Sequence, residues 1–247
     1  MGTYISPAII MRAKEFGESD LLVSFFTSDR GRLDGVAKGA RRSQKRFVNC
    51  LEIFCLANME YEARTRGGLA FLHSCKLLEG FPGLRGNFSS LSLASYMVEL
   101  TGVLFPPNVA DQRMFELLRE SLRALDKGKR PDVLRTLFEA RAMTLGGYAV
   151  NLDKCCVCGR TYAGAGRAVF NRDKGGIACM KCQRESPSSP GVDPSSVHAL
   201  KAVQELSWEE VSQMELGDDT ITEMKQTLTV HIEYRLGQRL KTSKYLI

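Results

Sequence analysis

Two cysteine pairs hold the most specific chemistry in this 247-residue chain. Cys155-x-x-Cys158 is followed, after 20 intervening residues, by Cys179-x-x-Cys182. Two thiolates three positions apart on a tight turn can bind one metal ion, and a second such turn completes a tetrahedron. Gly159 and Gly175-Gly176 give the backbone the freedom with which sulfurs are aimed inward. Four soft thiolates favour Zn²⁺, and four protein ligands leave no coordination position for substrate or water. The predicted site is therefore structural. The same donor set can also hold an iron–sulfur cluster or act as redox pairs. Cys156 has only one residue between it and Cys158, which is not knuckle spacing, and it reads as a spare thiol. Cys50, Cys55 and Cys75 fall in strand-like sequence and read as buried core residues, as do His73 and His231 on apolar stripes.

The second chemical signal is charge. Arg30, Arg32, Lys38, Arg41, Arg42, Lys45 and Arg46 lie in one short stretch with Asp34 as its sole acid. That stretch carries +6, equal to the excess of the whole chain, 34 Lys and Arg over 28 Asp and Glu. The cysteine-bearing segment adds Lys154, Arg160, Arg167, Arg172, Lys174, Lys181 and Arg184 against three acids. A charge run is usually a solvated face. Two separate basic segments favour a polyanion, bound by neutralising phosphates and releasing counterions. Phe47, beside the first run, is placed either to stack on unpaired bases or to enter a core. Phosphate-loop, zinc-protease and nucleophile-elbow motifs are missing from the sequence, so it shows no enzyme signature.

Elements must hold these groups. Residues 1 to 80 break into five apolar or alternating runs separated by turn chemistry. In the clearest run Leu51, Ile53, Cys55, Ala57, Met59 and Tyr61 share one side, as side chains alternating across a strand would. Leu21, Val23, Phe25 and Thr27 form another such set. Ser28-Asp29-Arg30-Gly31 turns the chain into a return strand, and Arg66-Gly67-Gly68 breaks a later hairpin. Five short strands suit a small closed barrel better than an open sheet. After Phe81-Pro82-Gly83 the period becomes helical. Phe88, Leu91, Ser95, Val98, Thr101 and Phe105 mark one stripe. Met114, Leu118, Leu122 and Leu125 mark a second, behind a predicted Asp111 cap. A third spans Val133 to Leu145, and a last one Ile221 to Leu240. These stripes predict a helical bundle interrupted by the cysteine segment, residues 151–185.

Hydrophobic residues at 44% and charged residues at 25% are an ordinary globular balance. No apolar stretch approaches the roughly 18 residues of a membrane span, and no signal-like start precedes the first strand. The expectation is a soluble, intracellular protein whose eight cysteines stay reduced.

In order and separation, several short motifs resemble one family, the bacterial DNA-repair and recombination-mediator RecO proteins. They are Glu18-Ser19-Asp20, Gly31-Arg32-Leu33, Val36-Ala37-Lys38-Gly39-Ala40-Arg41-Arg42 and Ser95-Tyr96-Met97-Val98-Glu99-Leu100. Cys155-Cys156-Val157-Cys158-Gly159, Gly175-Gly176 ahead of Cys179-x-x-Cys182, and the ending Leu240-Lys241-Thr242-Ser243 complete the set. The resemblance implies an α+β multi-domain chain. An N-terminal OB-fold would occupy 1–80 and a helical domain 81–150 and 186–247, with an inserted zinc module at 151–185 whose ligands are Cys155, Cys158, Cys179 and Cys182. It implies binding of single- and double-stranded DNA and annealing of complementary strands without ATP. It also implies partnership with RecR and with the acidic tail of single-stranded DNA-binding protein during recombinase loading, in the bacterial cytoplasm. No covalent step is implied. Two other readings stay open on the residues alone: a zinc-containing RNA- or protein-binding module, and an enzyme using Cys156 or carboxylates gathered by the fold.

Overall fold

The computed structural model describes residues 2–63 and 68–246, and the chain divides into two compact units. One runs to Lys129 and the other is Arg130–Tyr245.

The first unit opens with five strands: β1 (Gly2–Phe16), β2 (Asp20–Thr27), β3 (Gly31–Ala37), β4 (Leu56–Ala63) and β5 (Ala70–Glu79). They close into a barrel in the order β1-β2-β3-β5-β4. All pairings are antiparallel except β3 with β5, where Val36 lies opposite Phe71. Closure leaves no long edge to aggregate. The interior is filled by alternate residues of each strand, among them Ile10, Val23, Phe25, Met59, Tyr61 and Leu72. Gly31, at the end of the β2–β3 turn, has φ 68°, and a Cβ there would run into the Val109 carbonyl. Glycine serves both the turn and the close approach.

Three expectations change here. The strand expected from Leu51 begins only at Leu56, because Phe54 takes a left-handed conformation at φ 74° and turns Ile53 out to solvent. Its amide donates to the Ile10 carbonyl at 2.8 Å, so residues 51–55 cap the barrel as turns. Cys50, Cys55 and Cys75 are buried as expected, but Cys50 and Cys75 are joined as a disulfide and only Cys55 remains a core thiol. His73 is not in a core. It lies half-buried on the outer side of β5. Of the predicted hairpin break, Arg66 and Gly67 fall outside the described residues, and Gly68 forms a bend.

Two helices complete this unit, α1 (Phe88–Leu104) and α2 (Gln112–Asp126). Asp111 caps α2, its carboxylate accepting from the Met114 amide at 2.9 Å, and the predicted stripe of Met114, Leu118, Leu122 and Leu125 is buried. In α1 the predicted stripe is buried only in part: Val98, Thr101 and Phe105 are covered, and Leu91 and Ser95 are half-buried. Phe88 is exposed while Leu93, Ala94, Met97 and Leu100 are covered, because a helix apolar all round gives periodicity no face to choose. The helices cover the outer side of β2, where Phe26 packs between Phe105 and Phe115 at ring separations of 6.3 and 6.5 Å. The expected 81–150 helical stretch is thus shared between the two units.

In the second unit α3 (Pro131–Leu145), α4 (Pro194–Glu205) and α6 (Asp218–Leu236) pack together, with the short α5 (Trp208–Val211) between. His231 of α6 is a core histidine, buried against Phe170 with Nε2 2.7 Å from the Tyr148 carbonyl. A three-stranded sheet, β7 (Gly176–Cys179), β6 (Ala168–Asn171) and β8 (Gly191–Val192) in that order, carries the cysteine segment. Among the described residues no helix is long and apolar enough to cross a membrane.

Candidate metal centre and nucleic-acid interface

The Cys-x-x-Cys pairs meet. Cys155 and Cys158 sit on a turn closed by Gly159, whose amide donates to the Cys155 carbonyl at 2.9 Å with φ at 75°. Cys179 ends β7, and the amides of Cys182 and Gln183 fold back onto its carbonyl at 2.9 and 3.1 Å. The two turns bring four sulfurs within 4.8 Å of one another, and Cys158 Sγ is 4.0 Å from Cys179 Sγ. A tetrahedron with metal–sulfur bonds of about 2.3 Å has edges of about 3.8 Å, so a small contraction fits an ion.

Local polarity suits the same purpose. Burial resists ionisation of Cys155, yet amides aimed at its sulfur, from Cys158 at 3.5 Å and Cys179 at 3.3 Å, hold the thiol down at about 6. A hydrogen bond from Cys182 lowers Cys179, while bonds to Cys179 and Cys158 push Cys182 up to about 12. Four thiolates this close cannot all ionise without a cation among them. The set could hold a metal ion, and zinc is compatible with it. Cys156 stands outside. Its sulfur is directed to the Gly176 carbonyl at 3.9 Å, and burial pushes its thiol up.

The seven cations of the first run do not form one patch. Arg30 and Arg32 lie at the start of β3, and Lys38, Arg41, Arg42, Lys45 and Arg46 follow its other end, about 20 Å away along the strand. Arg30 stacks on Tyr4 at 3.6 Å, and Arg32 runs beside Gly102 of α1 with its Nε buried. The other five share a loop held by the β1–β2 turn. Asp20 accepts from the Gly39 amide at 2.8 Å, and the Ser19 carbonyl accepts from the Arg41 amide at 3.0 Å. Two of the five also brace the loop. Arg41 pairs with Glu15 at 3.1 Å and reaches the Glu18 carbonyl, while Arg46 donates to the Lys38 carbonyl at 2.8 Å. Lys38, Arg42 and Lys45 stay exposed, with no carboxylate partner among the described residues. The second basic segment is less available than its count suggests, because Arg167 is gripped by Glu185, Asp193 and Glu223.

Phe47 is buried at 6% exposure, so it is not a free ring. An exposed aromatic beside Lys38 is Phe71, which sequence reading passed over. Its signal was an aromatic on the water side of an alternating strand.

Two family models divide the chain between them. One described as "Recombination protein O N terminal" matches residues 1–81, and one described as "Recombination protein O C terminal" matches 85–244. The chain belongs to the RecO family. A DNA repair protein RecO of Syntrophus aciditrophicus is 34% identical over 99% of this chain and 95% of its own length. The RecO of Syntrophobacter fumaroxidans is 33% identical over 100% and 98%. That of an Anaeromyxobacter species is 33% identical over 96% and 93%. RecO membership implies a role in DNA repair and recombination.

Proposed function

We propose that this RecO-family chain is a recombination mediator that binds single- and double-stranded DNA and anneals complementary strands without ATP. It works with RecR and the acidic tail of single-stranded DNA-binding protein in recombinase loading, in the bacterial cytoplasm. The observation that carries this reading is the loop Lys38–Arg46, cationic, exposed and anchored to the closed five-stranded barrel, whose strand order suits an OB-fold. Two DNA strands repel through their phosphates. A surface that neutralises phosphates on both, and leaves base edges free, lowers that barrier without any covalent step. Of the sequence-nominated set Arg30, Arg32, Lys38, Arg41, Arg42, Lys45 and Arg46, the free cations Lys38, Arg42 and Lys45 make the phosphate contacts. Arg41 and Arg46 shape the loop. Cys155, Cys158, Cys179 and Cys182 hold one structural Zn²⁺, which orders the turns around it and takes no part in annealing.

The test is annealing of complementary oligonucleotides coated with single-stranded DNA-binding protein, without nucleotide. The chain should accelerate it, and Arg42→Glu with Lys45→Glu should remove most of that gain. No acceleration by the unaltered chain, or a clear preference for structured RNA over DNA, overturns the reading.

A further inference from the structure

We propose that Phe71 and His73, on the outer side of β5, form a stacking site for the unpaired bases of a single DNA strand, with Lys38 serving the adjoining phosphate. The inference rests on the DNA-binding reading above and adds to it a means of telling one strand from two. Phe71 lies on the side of β5 opposite the buried Ala70 and Leu72, its ring contact puts His73 on the same side, and Leu69 just precedes the strand. Leu69 is 42% exposed and Phe71 36%, so both offer apolar surface to solvent. The Phe71 and His73 rings are 4.9 Å apart with planes at 70°, so a base lying on one ring presents its edge to the other.

Charge complements the apolar strip. Parallel pairing of β3 with β5 sets Val36 beside Phe71, and Lys38, two residues on, carries its ammonium to 5.9 Å from the centre of the Phe71 ring. The loop that follows is moored to β5 itself. The Cys75 amide donates to the Arg46 carbonyl at 2.8 Å, and Cys75 is bonded to Cys50. Cations and rings are therefore held together by the barrel and not by chance rotamers. Glu62, 3.8 Å from His73 Nε2, offsets one charge, and the three cations Lys38, Arg42 and Lys45 still outweigh it. An aromatic face beside free cations suits a nucleic-acid strand with exposed bases, since every base has a face to stack. A duplex hides those faces.

The experiment compares full-length variants on a fluorescent oligothymidylate and on a duplex of equal length. Phe71→Ala should weaken single-strand binding roughly tenfold and duplex binding less than twofold. Phe71→Leu, which keeps the apolar bulk, should lose nearly as much, whereas Phe71→Trp should keep the affinity and gain emission quenching on adding the single strand. Unchanged single-strand affinity in Phe71→Ala, equal losses on both DNAs, or full activity of Phe71→Leu overturns the stacking site. Arg42→Glu with Lys45→Glu run alongside separates the two readings. If it weakens both DNAs while Phe71→Ala weakens neither, only the stacking site falls.

Discussion

At the scale of single residues, the four sulfurs and the fifth nearby make opposite predictions. A closed tetrathiolate contributes about 10 kcal/mol or more in peptides that fold only with metal; here it adds to a sheet that already buries Val169, Phe170 and Ile177. Cys158→Ser removes one ligand from an exposed turn, so metal content should fall well below one ion per chain. The unit that contains the site should then melt earlier. Cys156→Ser should leave both metal content and melting unchanged, because its sulfur faces a carbonyl and not the cluster. Elemental analysis with thermal unfolding decides both. This contrast was legible from spacing, since a local turn dictates which sulfurs can meet. The Cys50–Cys75 bond was not, because 25 residues separate the partners and only the return of the loop to β5 brings them together. The same non-local pairing hides Phe71: it is remote in sequence from the basic run and adjacent to Lys38 only across the β3–β5 ladder.

At the scale of elements, alternation and turns revealed the barrel strands, and Asp111 with its stripe revealed α2, because each is a local pattern. Faces were harder. Phe26 lies on the side of β2 opposite the barrel-filling Val23 and Phe25, and it is buried because α1 and α2 lie over it, a fact set by packing. One contact that joins such elements has a testable pH signature. Glu79, at the end of β5, receives two hydrogen bonds from Arg123 of α2, including Nε to Oε2 at 2.7 Å. That guanidinium holds the Glu79 carboxyl below its ordinary 4.5. The side chains are 31% and 33% exposed, so solvent limits the pair to at most about 1 kcal/mol. Because the folded carboxyl is the stronger acid, its contribution is present above about pH 4.5 and is lost as pH falls through the depressed value. Urea unfolding should therefore show Glu79→Gln less stable than the parent at pH 7, with the gap closing at pH 3. A gap that persists at pH 3 assigns the loss to packing instead.

At the scale of the whole molecule, a net charge of +6 says less than where it is free to act. Many cations are occupied: Arg41 by Glu15, Arg123 by Glu79 and Glu120, Arg167 by three carboxylates. Such groups are less free to meet a phosphate because a carboxylate already holds them, the exposed Arg41–Glu15 pair least firmly. Lys38, Arg42 and Lys45 are not held in this way, so salt dependence should single them out. Each phosphate neutralised on a single strand contributes about 0.7 to the slope of log affinity against log salt, and about 0.9 on a duplex. Replacing Arg42 and Lys45 together by Ala should therefore lower the slope by about 1.4 on single strands and about 1.8 on duplex. Arg32→Ala should leave it unchanged, since Arg32 lies beside α1 at the far end of β3. Titrations from low to moderate salt measure all three. Equal slopes in the double variant and the parent would mean that DNA is held elsewhere, and a fall with Arg32→Ala would return that end of β3 to the interface.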